Sequence, residues 1–265
     1  MAGTVMLEPL DDHVVLITMN RPDRLNAMSF EFAGDLHDAI DEIARDAGCK
    51  VAILTGAGRG FCAGLDLRDF GTPPSPGEHA QARVGVGGQE FLANLMIGLR
   101  ALPQIVIAAV NGPAFGGGLA LACAADIRIA SDEARFCSAF IRTGLSGTDV
   151  GISYLLPQII GGGRAFELIA TGREIDATEA ERIGLVTRVT APSALLDGAR
   201  AVATTLAGYT TTGLTLTKEA FWHNVASPSL AGAIALENRN QRIAADTPEV
   251  REYMASYAQR HRATS

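Results

Sequence analysis

Three consecutive glycines at residues 116–118 follow the uninterrupted apolar run Ile105–Val110 and precede an alanine-rich segment with helical spacing. This order is typical of a buried strand, a tight turn and the first turn of a helix. Because glycine has no Cβ, a ligand can approach the first helical turn, where N–H groups lack partners and the helix dipole favours negative charge. The stretch is therefore a candidate anion or oxyanion site.

A second glycine-rich loop, residues 56–60, ends another apolar run and leads into F-C-A-G-L-D at residues 61–66. A small residue followed by glycine after a strand, here Ala63 and Gly64, is typical of a loop with exposed backbone amides. The same pattern occurs in ordinary tight turns. On these residues alone both interpretations stay open.

Asp149 is the one carboxylate in the segment 144–157, where its neighbours are otherwise small, polar or apolar. One interpretation of this residue is a helix N-cap. The other is a desolvated carboxylate placed for proton transfer or nucleophilic attack. His79 is a weaker candidate in the segment 71–88, whose proline and glycine content predicts a mobile loop or lid.

The elements that must position these residues form an α/β pattern. A β-rich run at residues 13–19, an amphipathic helix that Ser29 can cap, and a buried strand at 51–55 favour parallel strands with right-handed crossovers. The C-terminal part is helical, and we expect its apolar faces to be buried at a subunit interface. Further strands are predicted at 127–130, 134–137 and 185–190, and helices at 164–171, 177–183, 192–207, 214–226 and 231–262.

Composition limits the class of protein. The 265 residues, 48% of them hydrophobic, can bury a sizeable core and predict one main domain with an appendage. A net charge of -7 argues against a bulk nucleic-acid binder, since phosphate affinity comes from clustered Lys and Arg. The five histidines show no metal-ligand spacing, so no metal site is expected.

Cysteine usage and hydropathy indicate where the protein works. Its four cysteines form no C-x-x-C pair, which is typical of a reducing, intracellular setting. No run reaches about 18 consecutive apolar residues, and the start shows no basic region followed by a long apolar stretch. We therefore expect a cytoplasmic protein with no membrane partner.

Four ordered motifs resemble the enoyl-CoA hydratase/isomerase, or crotonase, superfamily. They are N-R-P with L-N-A at residues 20–27, the segment 61–66, the segment 107–118 with Asp126, and the segment 170–186. The resemblance implies a crotonase-like spiral of β-β-α units with a C-terminal helical trimerisation region, assembled as trimers or dimers of trimers. We accordingly expect a spiral core over residues 1–195 and a helical region over 196–265.

The resemblance also implies a substrate class, acyl-CoA thioesters. By position, the backbone N–H groups of Ala63 and Gly117 would hold the thioester oxygen, which becomes negative when a neighbouring proton is removed. The coenzyme A moiety is part of the substrate, so no separate cofactor is expected. A phosphate cradle or dinucleotide loop is disfavoured, because Leu119 and Ala120 follow the glycines in place of G-K-[ST].

Substrate-binding residues carry over by position. The segment 24–27 and the backbone near Leu65 would line the coenzyme A pocket, and a basic residue near the C-terminus would reach its phosphates, often from a neighbouring subunit. That last residue could equally belong to a solvated tail. The substrate-binding residues predicted in this way are Arg24, Leu25, Ala27, Leu65, Asp66, Gly116, Ala120, Phe140, Tyr257 and Arg260.

The sequence departs from hydratases of the family at two positions. Ala120 and Phe140 stand where those enzymes carry two glutamates, and neither side chain can transfer a proton. Asp149 lies where related dehalogenases and dienoyl-CoA isomerases place a working carboxylate. An enzyme that uses Asp149 for double-bond isomerisation, lyase chemistry or another non-standard reaction is expected; the alternative is an inactive acyl-CoA-binding or scaffold protein.

Overall fold

The computed structural model describes residues 3–75, 88–226 and 229–262, with side chains up to residue 257. The candidate His79 and the side chain of Arg260 lie outside these residues, so their predicted roles stay predictions. Within the described part, none of the helices has the length and apolar character needed to cross a bilayer.

A six-stranded sheet in the order β1-β2-β3-β4-β6-β9 forms the centre of the molecule. Apart from the antiparallel pair β1–β2, neighbouring strands are parallel, as predicted. Strands β3 and β4 are buried at every residue, which explains their uninterrupted apolar runs. A smaller sheet has the order β5-β7-β8. The strands are β1 Val5–Pro9, β2 Val14–Met19, β3 Val51–Gly56, β4 Ile105–Val110, β5 Ala114–Phe115, β6 Ile127–Ser131, β7 Arg135–Cys137, β8 Glu174–Asp176 and β9 Arg188–Thr190.

Ten helices surround these sheets within the described residues. The first begins as predicted, because the Ser29 hydroxyl accepts a hydrogen bond from the Phe32 N–H at 3.1 Å. The second was not predicted from the sequence. The helices are α1 Phe30–Arg45, α2 Gly88–Ala101, α3 Gly117–Ala124, α4 Ile152–Ile160, α5 Gly162–Thr171, α6 Ala177–Arg182, α7 Leu195–Ala207, α8 Thr211–Val225, α9 Leu230–Ala245 and α10 Pro248–Arg262.

Apolar side chains cover both faces of the main sheet. One face packs against α1 to α6 in the larger core cluster. The other is covered by α7, whose Leu195, Ala199 and Ala203 pack with residues of β2, β3, β4 and β6. Helix α7 starts at the predicted division between 1–195 and 196–265, and that division stays a prediction.

Asp126 fastens α8 to the sheet. Its carboxylate accepts hydrogen bonds from Lys218 Nζ at 2.8 Å and Trp222 Nε1 at 2.7 Å. The N–H of Val106 donates to the same carboxylate at 2.7 Å. Because buried charges need partners, this cluster fixes α8 against the start of β4. Beyond it, α8 to α10 expose large apolar side chains, including Phe221, Ile234, Met254 and Tyr257.

Candidate active site

The N-terminus of α3 lies at the triple glycine. Gly116 adopts φ 51° and ψ -117°, a conformation that favours glycine, and so turns the chain out of β5 into the helix. The Gly117 N–H is the first of α3 and has no acceptor inside the helix. At the C-terminal end of α3, Arg100 donates to the Cys123 carbonyl at 2.7 Å. The helix dipole favours a positive charge at this end.

The loop 61–66 is joined to this helix start by backbone hydrogen bonds. The Cys62 N–H donates to the Pro113 carbonyl at 3.0 Å, and the Phe115 N–H donates to the Cys62 carbonyl at 2.9 Å. A side-chain carbon added to Gly118 would lie 1.9 Å from that Cys62 oxygen. The absence of a side chain at Gly118 therefore allows the two loops to pack this closely.

Gly64 faces Gly117 across a small space. With φ +89°, Gly64 has a backbone that L side chains rarely adopt, and a carbon added to it would lie 3.5 Å from the Gly117 nitrogen and 2.8 Å from the Phe115 oxygen. The missing side chain leaves room beside the Gly117 N–H. The structure thus brings the Ala63–Gly64 loop and Gly117 together, as their predicted roles require.

The Ala63 N–H has an acceptor within the chain. It donates to the Leu25 carbonyl at 3.0 Å. Leu25 and Asn26 are both left-handed, with φ 50° and 55°, and this tight turn aims the carbonyl of Leu25 at the loop. In the free chain, one of the two predicted oxyanion donors is therefore already engaged.

Asn26, whose role sequence reasoning missed, holds that turn in place. Its side chain is fully buried, donates to the Gly60 carbonyl at 2.7 Å and to the Ala57 carbonyl at 3.0 Å, and accepts from the Arg21 N–H at 2.8 Å. A signal existed, since asparagine tolerates positive φ better than most residues. The predicted binding segment 24–27 is thus a rigid turn.

Asp66 binds arginines of the same segment. Its buried carboxylate accepts from Arg24 at 2.9 and 3.1 Å and from Arg21 at 3.1 Å. Burial alone would raise the pKa of Asp66, but these hydrogen bonds and two from the backbone hold it below its ordinary value of 3.8. Both oxygens are occupied, so the carboxylate anchors Arg24, and a direct substrate contact stays a prediction.

The two positions that resemblance assigns to glutamates are apolar here. Ala120 is fully buried in α3. Phe140 places its ring 3.7 Å from where a side-chain carbon of Gly116 would lie. Met28 was missed by sequence reasoning, and its sulfur would lie 3.0 Å from a carbon added to Gly117. Apolar atoms therefore surround the helix start, as an acyl group requires.

Asp149 is half-buried and does not cap α4. The residue before α4 is Gly151, which makes no side-chain cap. Asp149 Oδ1 instead accepts from the Val150 N–H at 2.7 Å and from Gln89 Nε2. The N-cap interpretation of Asp149 is therefore wrong, because Gly151 occupies that position and the two donors to the Asp149 carboxylate lie outside α4.

Two close approaches bring the starts of α2 and α3 to residues 28–30. A carbon added to Gly88 would lie 1.9 Å from the Phe30 ring, so the start of α2 is pressed against the start of α1. Met28, two residues before Phe30, lies beside the start of α3. A side-chain carbon added to Gly117 would be only 3.0 Å from the Met28 sulfur. The starts of α2 and α3 thus both lie beside residues 28–30, and Gln89, the partner of Asp149, follows Gly88 at the start of α2.

Other predicted residues lie apart or at the edge. Leu65 is 41% exposed within the loop 61–66, and Ala27 is buried in the turn before Met28. Tyr257 is on α10, which packs on α8 and α9, so a role for it at coenzyme A stays a prediction. Within the described residues, no three His, Cys, Asp or Glu side chains are grouped so as to hold a metal ion.

Comparisons with known proteins bear on the family and on the fold. The sequence profile described as enoyl-CoA hydratase/isomerase matches residues 10–264. A probable enoyl-CoA hydratase of Mycobacterium tuberculosis is 43% identical over 237 residues, 89% of this chain and 83% of that protein. The 1,2-epoxyphenylacetyl-CoA isomerase of Escherichia coli is 36% identical over 252 residues, 95% of this chain and 94% of that protein. The crystal structure of a probable enoyl-CoA hydratase/isomerase from Mycobacterium abscessus superposes with TM-score 0.87 at 36% identity, covering 97% of each chain.

Proposed function

This chain belongs to the enoyl-CoA hydratase/isomerase family, and we propose that it moves a carbon–carbon double bond within an acyl-CoA thioester, with Asp149 carrying the proton. The observation that carries the proposal is a carboxylate at Asp149 together with Ala120 and Phe140 at the positions where the resemblance places the two glutamates of hydratases. Hydration needs an acid and a base acting on one water. Isomerisation needs one group that accepts a proton and returns it.

The reaction is written for a 3-enoyl-CoA thioester. Asp149 takes a proton from C2, and the electrons of that bond form a dienolate whose negative charge rests on the thioester oxygen. The carbonyl then reforms, the C2–C3 double bond forms, the C3–C4 double bond opens, and C4 takes the proton back from Asp149. Atoms and electrons balance without water or a redox partner, and coenzyme A enters as part of the substrate.

The start of α3 stabilises the dienolate in this proposal. The Gly117 N–H faces the space beside Gly64, at the positive end of the helix dipole. A fixed donor of this kind lowers the barrier by about 3 kcal/mol, because it needs no reorganisation when charge develops. The Ala63 N–H is the second donor, and the thioester oxygen would replace the Leu25 carbonyl as its acceptor.

The relatives support acyl-CoA chemistry and do not decide between hydration and isomerisation. The Escherichia coli relative is named a 1,2-epoxyphenylacetyl-CoA isomerase, and the mycobacterial one a probable enoyl-CoA hydratase. The choice of isomerisation therefore rests on this chain's own side chains. The apolar surroundings of Ala120 and Phe140 suit the hydrocarbon part of the substrate, and Arg24 with the turn at Leu25 suits coenzyme A.

We further propose that the chain acts as a trimer or dimer of trimers in the cytoplasm. Four buried cysteines are free, as a reducing compartment favours. The exposed apolar side chains of α8 to α10 give a self-association surface. In such an assembly Tyr257 and Arg260 of one copy would reach coenzyme A bound to another.

The test compares wild type with Asp149→Asn in the conversion of trans-3-hexenoyl-CoA to 2-hexenoyl-CoA. The variant keeps the shape and loses the proton carrier, so we expect kcat to fall by about 10²- to 10⁴-fold. A matched control, Asp132→Asn, changes an exposed carboxylate after β6 and should keep the wild-type rate. Equal rates for wild type and Asp149→Asn would contradict the proposal.

A binding measurement distinguishes the proposed enzyme from an inactive acyl-CoA-binding protein. Calorimetry with butanoyl-CoA should give the same affinity for wild type and Asp149→Asn, since the lost group acts on the proton and not on binding. Tight binding by the wild type without turnover of enoyl-CoA, dienoyl-CoA or aryl-CoA thioesters would favour the binding protein.

A further inference from the structure

We propose that Gln89 is a positioning residue for Asp149: its side-chain amide fixes the carboxylate so that Oδ2 is left to exchange the proton with the substrate. The inference rests on the proposed function, in which Asp149 is the acid and base. It adds a residue that the missing glutamates make necessary, because a lone carboxylate must be aimed at both C2 and C4.

The hydrogen bonds of the carboxylate are unequally divided. Oδ1 accepts both from Gln89 Nε2 and from the Val150 N–H, the latter at 2.7 Å. For Oδ2 no donor is recorded among the residues described in the structure. Two donors on one oxygen fix the plane of the carboxylate and leave the lone pairs of the other oxygen for a C–H proton.

The start of α2 holds Gln89 in place. Gly88 lies so close to Phe30 that an added carbon would be 1.9 Å from the ring. The buried side chains of Phe91, Leu95 and Leu99 anchor the rest of the helix in the core. Gln89 is exposed, yet its backbone belongs to a rigid element, which is how a positioning side chain must be held.

Val150 gives an independent reason to assign function here. This β-branched residue has φ +40°, a conformation that such residues rarely adopt. The turn points its N–H at Asp149 Oδ1, so the strain accompanies the same hydrogen-bond arrangement that Gln89 completes. Backbone strain of this kind persists where the surroundings impose it and is concentrated at functional sites.

The obvious alternative is that Gln89 is an exposed side chain with a chance hydrogen bond. In that case its removal would change neither activity nor stability, because exposed polar substitutions are usually neutral. If it only supported the fold, its removal would lower stability and slow every variant equally. A positioning residue instead acts through Asp149 and has no effect once Asp149 cannot carry a proton.

A double-mutant cycle measures this difference, with trans-3-hexenoyl-CoA as the probe. The variants are Gln89→Leu, which keeps the volume and loses the donor, Asp149→Asn, and the two combined. We expect Gln89→Leu to lower kcat about tenfold with KM changed less than about twofold, and to change the Asp149→Asn rate less than about twofold. Gln241→Leu, on the exposed face of α9, is the matched control and should keep the wild-type rate.

The outcomes separate the two proposals. A wild-type kcat in Gln89→Leu beside a slow Asp149→Asn overturns the role of Gln89 and leaves the proposed function standing. The same fold loss in both backgrounds, or a lowered melting temperature that accounts for it, also overturns positioning. A wild-type rate in Asp149→Asn overturns the proposed function itself.

Discussion

Gly64 and Gly117 face one another across the space where we place the thioester oxygen: a carbon added to Gly64 would lie 3.5 Å from the Gly117 nitrogen. The same carbon would lie 2.8 Å from the Phe115 carbonyl oxygen, which backbone hydrogen bonds hold in place. The Phe115 oxygen therefore cannot move to make room for a side chain at residue 64.

Gly64→Ala should lower kcat/KM for trans-3-hexenoyl-CoA by at least about 10²-fold, because the methyl group blocks the Gly117 N–H. The variant should also lose about 1–2 kcal/mol of unfolding free energy, since φ +89° strains any residue with a Cβ. Gly184→Ala controls for strain, because Gly184 has φ +82° and its nearest neighbour is the Ile159 oxygen at 4.0 Å. Equal activity of the two variants would contradict the assignment of the site.

Asp66 should make stability depend on pH in acid. Its folded pKa lies below the ordinary 3.8, so its contribution is fully present above that pH and is lost as pH falls through the folded value. We expect Asp66→Asn to cost about 3 kcal/mol near neutral pH, because Arg24 and Arg21 lose their partner. Urea titrations at several pH values should show the difference from wild type shrinking below pH 3.8. A difference that is constant with pH would show that the charge of Asp66 is not the cause.

Arg128 should contribute to stability through the C-terminal end of α3. It is buried and donates to the Leu185 and Ala125 carbonyls at 2.8 Å each. Arg128→Met leaves these oxygens without donors, and we expect a loss of about 3 kcal/mol in chemical denaturation. Arg188→Met, an exposed position on β9, should stay within about 0.5 kcal/mol of wild type. Similar losses for both variants would mean that the carbonyl contacts of Arg128 contribute little.

Local patterns were enough to predict the centre of the fold. The buried runs of β3 and β4, the Ser29 cap and the glycine-rich loops all express local rules of burial and turn geometry. Helix α2 was missed because Gly88 and Gly98 lower helix propensity, and burial of its Leu95 face compensates. The predicted strand at 185–190 shortens to β9, since the Leu185 N–H instead bonds the Ala180 carbonyl at the end of α6.

The site required contacts that sequence spacing does not contain. Gln89 and Asp149 are 60 residues apart, and nothing local marks them as partners. Asp149 has the surroundings of an N-cap, but Gly151 is the N-cap of α4, and the contact of Asp149 with Gln89 depends on where α2 packs. The Ala63–Leu25 hydrogen bond likewise depends on two consecutive left-handed residues, which no periodicity predicts.

That hydrogen bond between Ala63 and Leu25 bears on how tightly the substrate should bind. A peptide carbonyl such as that of Leu25 is a better acceptor than a neutral thioester carbonyl, so exchanging one for the other yields no net affinity. A dienolate oxygen carries charge, and charge-assisted hydrogen bonds are about twice as strong as neutral ones. The Leu25 carbonyl therefore competes with the substrate for the Ala63 N–H, and the dienolate oxygen displaces it more readily than the substrate carbonyl does. This difference lowers the barrier without tightening ground-state binding.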